Sequence, residues 1–164
     1  RQHQEIRLFG HVATTDEETF DETEQWDIQD ENARGYTLIR TSIGHRVSPG
    51  HLVGIRAGES FVPCVIRWVI AGLDGSVNMG IRLLEGRPEA VAMRSTGVRT
   101  ASNRCVQAIL LHLGEWSSIV MPKGWHSRDR VVEILDQDDL SVRLRLNELA
   151  GKGADYERAA FTQL

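Results

Sequence analysis

The sequence predicts an all-β protein built from two antiparallel β-barrels, the second smaller than the first. Apolar residues recur almost entirely with a period of two, which is the period of side chains along a strand. Short apolar runs are separated by turn signals such as Ser-Pro-Gly at 48–50 and Pro-Lys-Gly at 122–124. That spacing is typical of antiparallel sandwiches and barrels. The sequence shows no long amphipathic helix, although residues 89–93 are compatible with one or two helical turns.

Ten segments have the alternation and length of strands. The dipeptide Ile-Arg begins at positions 6, 39, 55, 66 and 81. Because neighbouring side chains of a strand point to opposite faces, each isoleucine can enter a core while its arginine faces outward. We therefore expect half-buried strands whose outer wall carries arginine, with solubility alone as the alternative reason for these arginines. In chain order the predicted strands are residues 5–12, 36–41, 52–57, 62–70, 79–84, 106–113, 118–121, 130–135, 140–146 and 156–163.

The boundary between the two predicted domains falls at residues 94–104, RSTGVRTASNR, which are mostly small, polar and basic. We interpret this stretch as a linker. The first barrel then covers residues 1–93. A small C-terminal β domain covers residues 105–164, where about five strands suffice for a second barrel. A single core shared by both halves is the alternative.

The four tryptophans fall into two pairs. Trp26 and Trp68 fit the core or the cap of the first barrel. Trp116 and Trp125 lie beside turns, where an indole is either an interface anchor or folded back over the second barrel.

The net charge of −4 hides an uneven distribution along the chain. Residues 1–33 carry ten acids and two bases, whereas residues 34–104 carry ten arginines, no lysine and four acids. Arginine suits bidentate binding of phosphate or carboxylate, although codon bias is another source of such an excess. The overall acidity, and the absence of aromatic residues interleaved with the basic ones, argue against a nucleic acid polymer as partner.

The apolar runs are too short to span a bilayer, and no signal peptide opens the sequence. Cys64 and Cys105 lie within apolar runs and form no Cys-x-x-Cys pair, which indicates buried free thiols in a reducing compartment. We therefore expect a cytoplasmic protein without a membrane segment. The sequence begins at Arg1 without a methionine, so we expect it to be part of a longer chain.

Motifs for catalysis and metal binding are missing from the sequence. Gly-Glu-Trp-Ser-Ser at 114–118 is not a G-x-S-x-G nucleophile elbow, and no Walker-type or dinucleotide-fold glycine motif occurs. The acids cluster in the predicted loop 16–31, where solvated carboxylates are indifferent catalysts. His45 and His51 flank a turn, but two histidines without a third ligand make a poor zinc site. We expect no enzyme, no metal and no cofactor.

Residues 30–35, Asp-Glu-Asn-Ala-Arg-Gly, carry the strongest signal for a ligand site. Locally they predict a tight turn, because Asp30 and Asn32 can hydrogen-bond their own backbone and Gly35 takes positive φ without steric cost. Val-Ile-Arg-Trp at 65–68 and Gly-Ile-Arg-Leu-Leu at 80–84 follow downstream. In this order residues 26–84, about the middle third of the chain, resemble a PilZ domain. PilZ domains are bacterial β-barrel modules known for binding cyclic di-GMP, with a D/N-x-S-x-x-G loop at the start of a strand.

The resemblance implies a PilZ-like antiparallel β-barrel, followed by a second, smaller β-barrel-like domain, that acts in signalling. It would bind cyclic di-GMP and pass the signal to an unidentified protein partner. Asp30 and Asn32 would hydrogen-bond a guanine edge or a ribose, and Gly35 would let the backbone pass close to the ligand. Arginines would stack on a base or clamp a phosphate. The expected ligand-binding residues are Arg1, Arg7, Asp30, Asn32, Arg34 and Gly35.

Two features of the sequence depart from the PilZ pattern. The R-x-x-x-R pair that precedes the loop in PilZ domains is absent, since the upstream arginines are Arg1 and Arg7, and Asn32 replaces the loop serine. The acidic run 16–31 also lies where an anionic ligand would approach, and its carboxylates oppose a phosphate. The alternative function is a degenerate PilZ-like barrel without nucleotide binding that serves as an interaction or scaffold domain. In that case Asp30 and Asn32 only cap a turn, while Arg34 pairs with the acidic run.

Overall fold

The structure, a computed structural model, describes residues 3–8, 23–96, 105–136, 138 and 140–164. The chain divides into two compact units, Arg1–Leu84 and Glu85–Leu164. Within the described residues, regular structure consists of strands and one short 3-10 helix at Gly114–Trp116. Each unit is a closed antiparallel barrel of six strands. The predicted all-β fold of two successive barrels is confirmed.

The first barrel has the strand order β1-β2-β3-β6-β5-β4 and closes by pairing of β1 with β4. Its strands are β1 (His3–Leu8), β2 (Thr23–Asn32), β3 (Gly35–Arg40), β4 (Leu52–Ala57), β5 (Ser60–Ala71) and β6 (Val77–Leu83). Residues at alternate positions of these strands fill the barrel, as a period of two requires. The core consists of Trp26, Leu38, Val53, Ile55, Cys64, Ile66, Met79 and Ile81.

The Ile-in, Arg-out arrangement holds at three of the predicted Ile-Arg pairs. Ile55, Ile66 and Ile81 lie in the core, while the arginines that follow them are exposed. At 39–40 the arrangement is reversed. Leu38 faces inward, and since side chains two residues apart in a strand share a face, Arg40 faces inward as well. The pair at 6–7 lies in β1, where the structure describes the strand but not the side chains.

Arg40 is buried at one end of the first barrel, where it is only 7% exposed. Its guanidinium lies 4.9 Å from the centre of the Trp26 ring, a cation–π contact. Its Nη1 donates to Glu24 Oε2 at 2.7 Å and to the backbone carbonyl of His45 at 2.9 Å. A buried charge is tolerated only with such partners, and this one joins β2, β3 and the loop after β3.

A β-bulge in β5 determines which side chains reach the outer wall. Ile66 pairs with Ile81 and Trp68 pairs with Gly80, so Arg67 is the extra residue. A bulge of this kind interrupts the alternation of side chains. Arg67 and Trp68 are therefore both exposed, Trp68 by 39%. The expectation that Trp68 packs in or over the core is wrong for this reason, whereas Trp26 is buried as expected, at 1%.

The second barrel has the strand order β10-β11-β12-β9-β8-β7 and closes by pairing of β7 with β10. Its strands are β7 (Arg87–Ser95), β8 (Val106–His112), β9 (Ser118–Pro122), β10 (Val131–Leu135), β11 (Ser141–Lys152) and β12 (Tyr156–Gln163). Its own apolar core consists of Val91, Met93, Ala108, Leu110, Ile119, Met121, Val132, Ile134, Leu144, Leu146 and Ala159.

The tryptophans expected beside turns of the second barrel are arranged differently from each other. Trp116 is 79% exposed at the end of the 3-10 turn. Trp125 packs against the core of the second barrel and lies 4.9 Å from the Arg130 guanidinium. The first indole is therefore available at the surface, and the second folds back.

Two strands of the structure do not occur in the sequence-based prediction. β2 occupies residues assigned to an acidic loop. It forms because Trp26 and Ile28 turn inward while Asp30 and Glu31 are exposed. β7 replaces the helical turn expected at 89–93 and pairs with β8 and β10. The first domain therefore ends at Leu84 rather than at residue 93. Residues 9–12 of the first predicted strand and 97–104 of the predicted linker lie outside the described residues.

Candidate functional site

Residues 30–35 form a tight β-hairpin between β2 and β3. Asn32 pairs with Gly35, which leaves a two-residue turn. Asn32 Oδ1 accepts the backbone N–H of Arg34 at 2.8 Å and that of Gly35 at 3.1 Å. Asp30 Oδ1 accepts the N–H of Glu31 at 2.9 Å. The predicted side-chain-to-backbone bonding of a turn is confirmed.

Gly35 is required by a close approach of two strands rather than by its own φ. It is not among the glycines with positive φ, so that part of the prediction is wrong. A Cβ at this position would lie 1.9 Å from the carbonyl oxygen of Ile81 in β6. The missing side chain therefore lets β3 and β6 pair at the base of the hairpin.

A shallow pocket of about 230 Å³ lies on the outer wall of the first barrel beside this hairpin. Pockets that bury drug-sized ligands measure roughly 300–1,000 Å³, so this one is smaller than a site that encloses a whole molecule of that size. Its lining comes from β3, β5, β6 and the hairpin. The lining residues are Asn32, Arg34, Gly35, Tyr36, Thr37, Arg67, Trp68, Gly80, Ile81 and Arg82.

The floor of the pocket follows from the register of three strands. Gly35 lies opposite Arg82, and Thr37 lies opposite Gly80. Gly80 in turn lies opposite Trp68 across the next ladder. A Cβ at Gly80 would lie 2.1 Å from Trp68 Nε1 and 2.4 Å from Cε2. The indole thus lies directly over Gly80 and fills the space of the missing side chain, and it lines the depression that forms the pocket.

Three exposed arginines surround this depression: Arg34, Arg67 and Arg82. In the part of the chain that the structure describes, none of their guanidinium groups is in an ion pair. The expected alternative, pairing of Arg34 with the acidic run, does not occur with its described members; residues 16–22 of that run lie outside the description. Unpaired cations around a concave surface attract an anion without an existing bond having to break.

Tyr36 lies beside the pocket and packs partly against the barrel core. Burial raises the pKa of Tyr36, and the nearby Glu31 carboxylate raises it further. The phenol therefore stays protonated at neutral pH and keeps a hydrogen to donate.

The structure brings together three of the six predicted ligand-binding residues. Asn32, Arg34 and Gly35 line the pocket, whereas Asp30 is exposed outside the lining. Arg7 pairs with Thr23, at the far end of β2 from Asn32. At ~3.3 Å per residue of strand, this separates the backbone of Arg7 from that of Asn32 by about 30 Å.

Arg1 lies outside the described residues. Its expected role as a second clamp on the ligand stays a prediction.

Comparison with solved structures finds a distant likeness to MrkH of K. pneumonia. The apo form matches with a TM-score of 0.34 and 6% identity, covering 98% of this chain and 78% of that chain. The MrkH-c-di-GMP complex matches with a TM-score of 0.33 and 8% identity, covering 98% and 79%. At such scores the likeness carries no argument about function. A scan against models of known protein families finds no match, and a comparison with curated proteins finds none either.

Sequence reasoning missed four lining residues that matter for the chemistry of the pocket: Arg67, Trp68, Gly80 and Arg82. All four belong to the segments 65–68 and 80–84 that carry the PilZ resemblance. In the sequence, the only indication of these residues is that two predicted strands each carry an arginine. The antiparallel register of β5 and β6 is needed to show that the residues meet beside the hairpin.

A metal site and a membrane-spanning helix are both absent from the described residues. The described residues contain no group of three or more His, Cys, Asp or Glu side chains placed to hold a metal ion. They also contain no helix of the length and apolarity that would cross a membrane.

Proposed function

We propose that the first barrel binds cyclic di-GMP at the pocket beside the Asn32–Gly35 hairpin. The chain would then act as a bacterial cytoplasmic signalling module that relays the bound state by contact with a partner protein. One observation carries this proposal: the loop that resembles the PilZ motif opens onto a pocket rimmed by three arginines without described ion-pair partners.

The phosphates of a cyclic dinucleotide are matched by these arginines. Guanidinium groups bind phosphate oxygens bidentately, and such charge-assisted hydrogen bonds are about twice as strong as neutral ones. The PilZ R-x-x-x-R pair is absent from this chain, and Arg7 is too far away to replace it. Arg67 and Arg82, which lie on neighbouring strands of the pocket wall, would take over its role.

The hairpin retains hydrogen-bond donors for a guanine base. Asn32 Oδ1 is used by the turn, but the amide Nδ2 still carries two hydrogens. Guanine presents N7 and O6 as adjacent acceptors. Asn32 would therefore donate to guanine through Nδ2, while its Oδ1 continues to accept the backbone N–H groups of the turn.

Isothermal titration calorimetry with cyclic di-GMP, with GTP for comparison, tests the proposal. Arg34→Ala and Arg82→Ala should each weaken binding roughly 10- to 150-fold, since a hydrogen bond to a charged group contributes about 1.5–3 kcal/mol. Arg46→Ala is the matched control, because Arg46 is exposed on the same barrel but outside the pocket lining. Arg46→Ala and Arg7→Ala should leave affinity unchanged. Equal losses in all four variants would contradict the pocket assignment.

A scaffold barrel without nucleotide binding is the second candidate function. It is favoured by the hydrogen bonds of the hairpin, because Asn32 and Asp30 each use an acceptor oxygen for backbone N–H groups. If saturating cyclic di-GMP gives no heat of binding and no thermal stabilisation, the result favours this scaffold function.

A further inference from the structure

We infer that Trp68 is the stacking platform for one guanine base in this pocket, with Arg67 and Arg82 binding the phosphate attached to that nucleotide. This inference rests on the proposed function and adds a base-recognition surface to it. No residue of the D/N-x-S-x-x-G loop or the R-x-x-x-R pair is involved.

The bulge in β5 is what makes a platform available. With regular alternation after Ile66, which is buried in the core, Arg67 would face outward and Trp68 inward. The extra residue at the bulge instead exposes Arg67 and Trp68 side by side. Bulges are known to redirect side chains next to binding sites. An exposed indole beside a guanidinium is therefore built into the strand.

Gly80 holds the indole against the wall. Any Cβ at this position would overlap Trp68 Nε1 and Cε2, at 2.1 and 2.4 Å. The ring therefore uses the space of a missing side chain, while the residue remains 39% exposed to solvent and lines the pocket. A ring braced on one side presents a pre-ordered surface on the other, which lowers the entropy lost on binding.

The arginines lie where a stacked nucleotide carries its charge. Arg82 follows Gly80 by two positions on the same strand face, a distance of about 7 Å. Arg67 is the chain neighbour of Trp68. A base stacked on the indole would thus have a cation on each of two sides, and neither cation has a described ion-pair partner.

The test combines affinity with the emission of Trp68 in the full chain. The probes are cyclic di-GMP and its linear form, the 5′-phosphorylated guanine dinucleotide. Base–aromatic stacking predicts that Trp68→Leu weakens binding roughly 5- to 150-fold, while Trp68→Phe retains most of the affinity. Trp116→Leu, which removes an indole 79% exposed in the second barrel, is the matched control and should bind like the unaltered chain.

A second variant separates stacking from a simple loss of volume. Gly80→Val keeps the indole but displaces it, so binding should fall as in Trp68→Leu. The quenching of tryptophan fluorescence by ligand should be lost in Trp68→Leu and should persist in Trp116→Leu. Circular dichroism checks that each variant remains folded, and Trp68→Phe gives a folded reference at the same position.

Each outcome decides between the two proposals. If cyclic di-GMP binds the Trp68→Leu chain as tightly as the unaltered chain, and does not quench Trp68 in the unaltered chain, the stacking inference is overturned and the proposed function stands. If only the linear dinucleotide binds and quenches Trp68, the inference stands and the cyclic di-GMP function fails. If neither probe binds at saturating concentration, both are overturned.

Discussion

Glu24→Gln is expected to destabilise the first barrel by about 3–5 kcal/mol, because it removes the charged partner of a buried arginine. The side chains of Arg40 and Glu24 are 8% and 11% exposed. Glu24 Oε2 accepts from Arg40 Nη1 at 2.7 Å and from Trp26 Nε1 at 3.1 Å. Glu24 Oε1 accepts the backbone N–H of His45 and lies 3.1 Å from its Nδ1.

The amide of glutamine cannot reproduce this set of bonds. A carboxylate offers two acceptor oxygens, whereas an amide offers one oxygen and one donor nitrogen. Either the Arg40 side or the His45 side then meets a donor. For a domain of 60–100 residues the melting temperature falls by about 4–8 °C per kcal/mol. The first barrel should therefore melt roughly 12–40 °C lower than in the unaltered chain.

Differential scanning calorimetry of the full chain is the assay, with the transition of the first barrel followed separately. Glu31→Gln is the control, since Glu31 is exposed on the same strand, and its effect should stay within about 0.5 kcal/mol. Replacing both Glu24 and Arg40 by leucine should be milder than Glu24→Gln, because no uncompensated charge remains buried. A melting temperature of Glu24→Gln within 2 °C of the unaltered chain, a limit of about 0.5 kcal/mol, would refute the reasoning.

The same residue gives the barrel an acid-sensitive contribution to stability. Burial alone would raise the pKa of Glu24, but hydrogen bonds from the His45 backbone, Arg40 and Trp26 outweigh it and lower the pKa below its usual range. A carboxyl with a lowered folded-state pKa stabilises above its unfolded value of about 4.3 and loses that contribution as the pH falls through the folded value. The stability difference between the unaltered chain and Glu24→Gln should therefore be full above about pH 4.3 and shrink as the pH falls below it.

Two further predictions concern a glycine and the thiols. Gly35→Ala should destabilise the first barrel by about 1–3 kcal/mol, because its Cβ would overlap the Ile81 carbonyl oxygen. Thermal melts provide the measurement. Gly151→Ala is the control and should be far milder, because only one atom lies near its Cβ, at 4.0 Å. Titration with a thiol reagent should modify Cys105 rapidly in the native chain and Cys64 only on unfolding. Cys105 is exposed, contrary to expectation, whereas burial raises the pKa of Cys64 to about 12. Two thiols reacting equally fast would contradict the buried position of Cys64.

Much of the barrel architecture was accessible from the sequence because its strands alternate visibly. Ile55, Ile66 and Ile81 supply a regular core stripe, and the turn residues between them mark the strand ends. β2 was missed because its only inward apolar residues are Trp26 and Ile28, surrounded by acids that read as a loop. Its position between β1 and β3 depends on backbone pairing, which composition does not encode.

The candidate site was accessible only in part, for a reason of register. The turn chemistry of Asn32 and Arg34 is local, so the sequence is sufficient to predict it. The approach of Trp68 to Gly80 depends on the bulge at Arg67, which adds one residue and reverses the face of every side chain after it. A period-two pattern does not reveal such a shift, and Trp68 is therefore placed on the wrong side of the wall.

Closure of the two barrels limits how a partner can bind. Each of the twelve strands within the described residues has a paired neighbour on both sides. Within the described residues no strand is therefore open along its whole length, which disfavours recruitment of a partner by β-augmentation along a full strand and edge-to-edge aggregation. A partner that binds the described strands would instead contact side chains on the outer walls, where point substitutions can abolish an interaction while the hydrogen-bonded ladders remain intact.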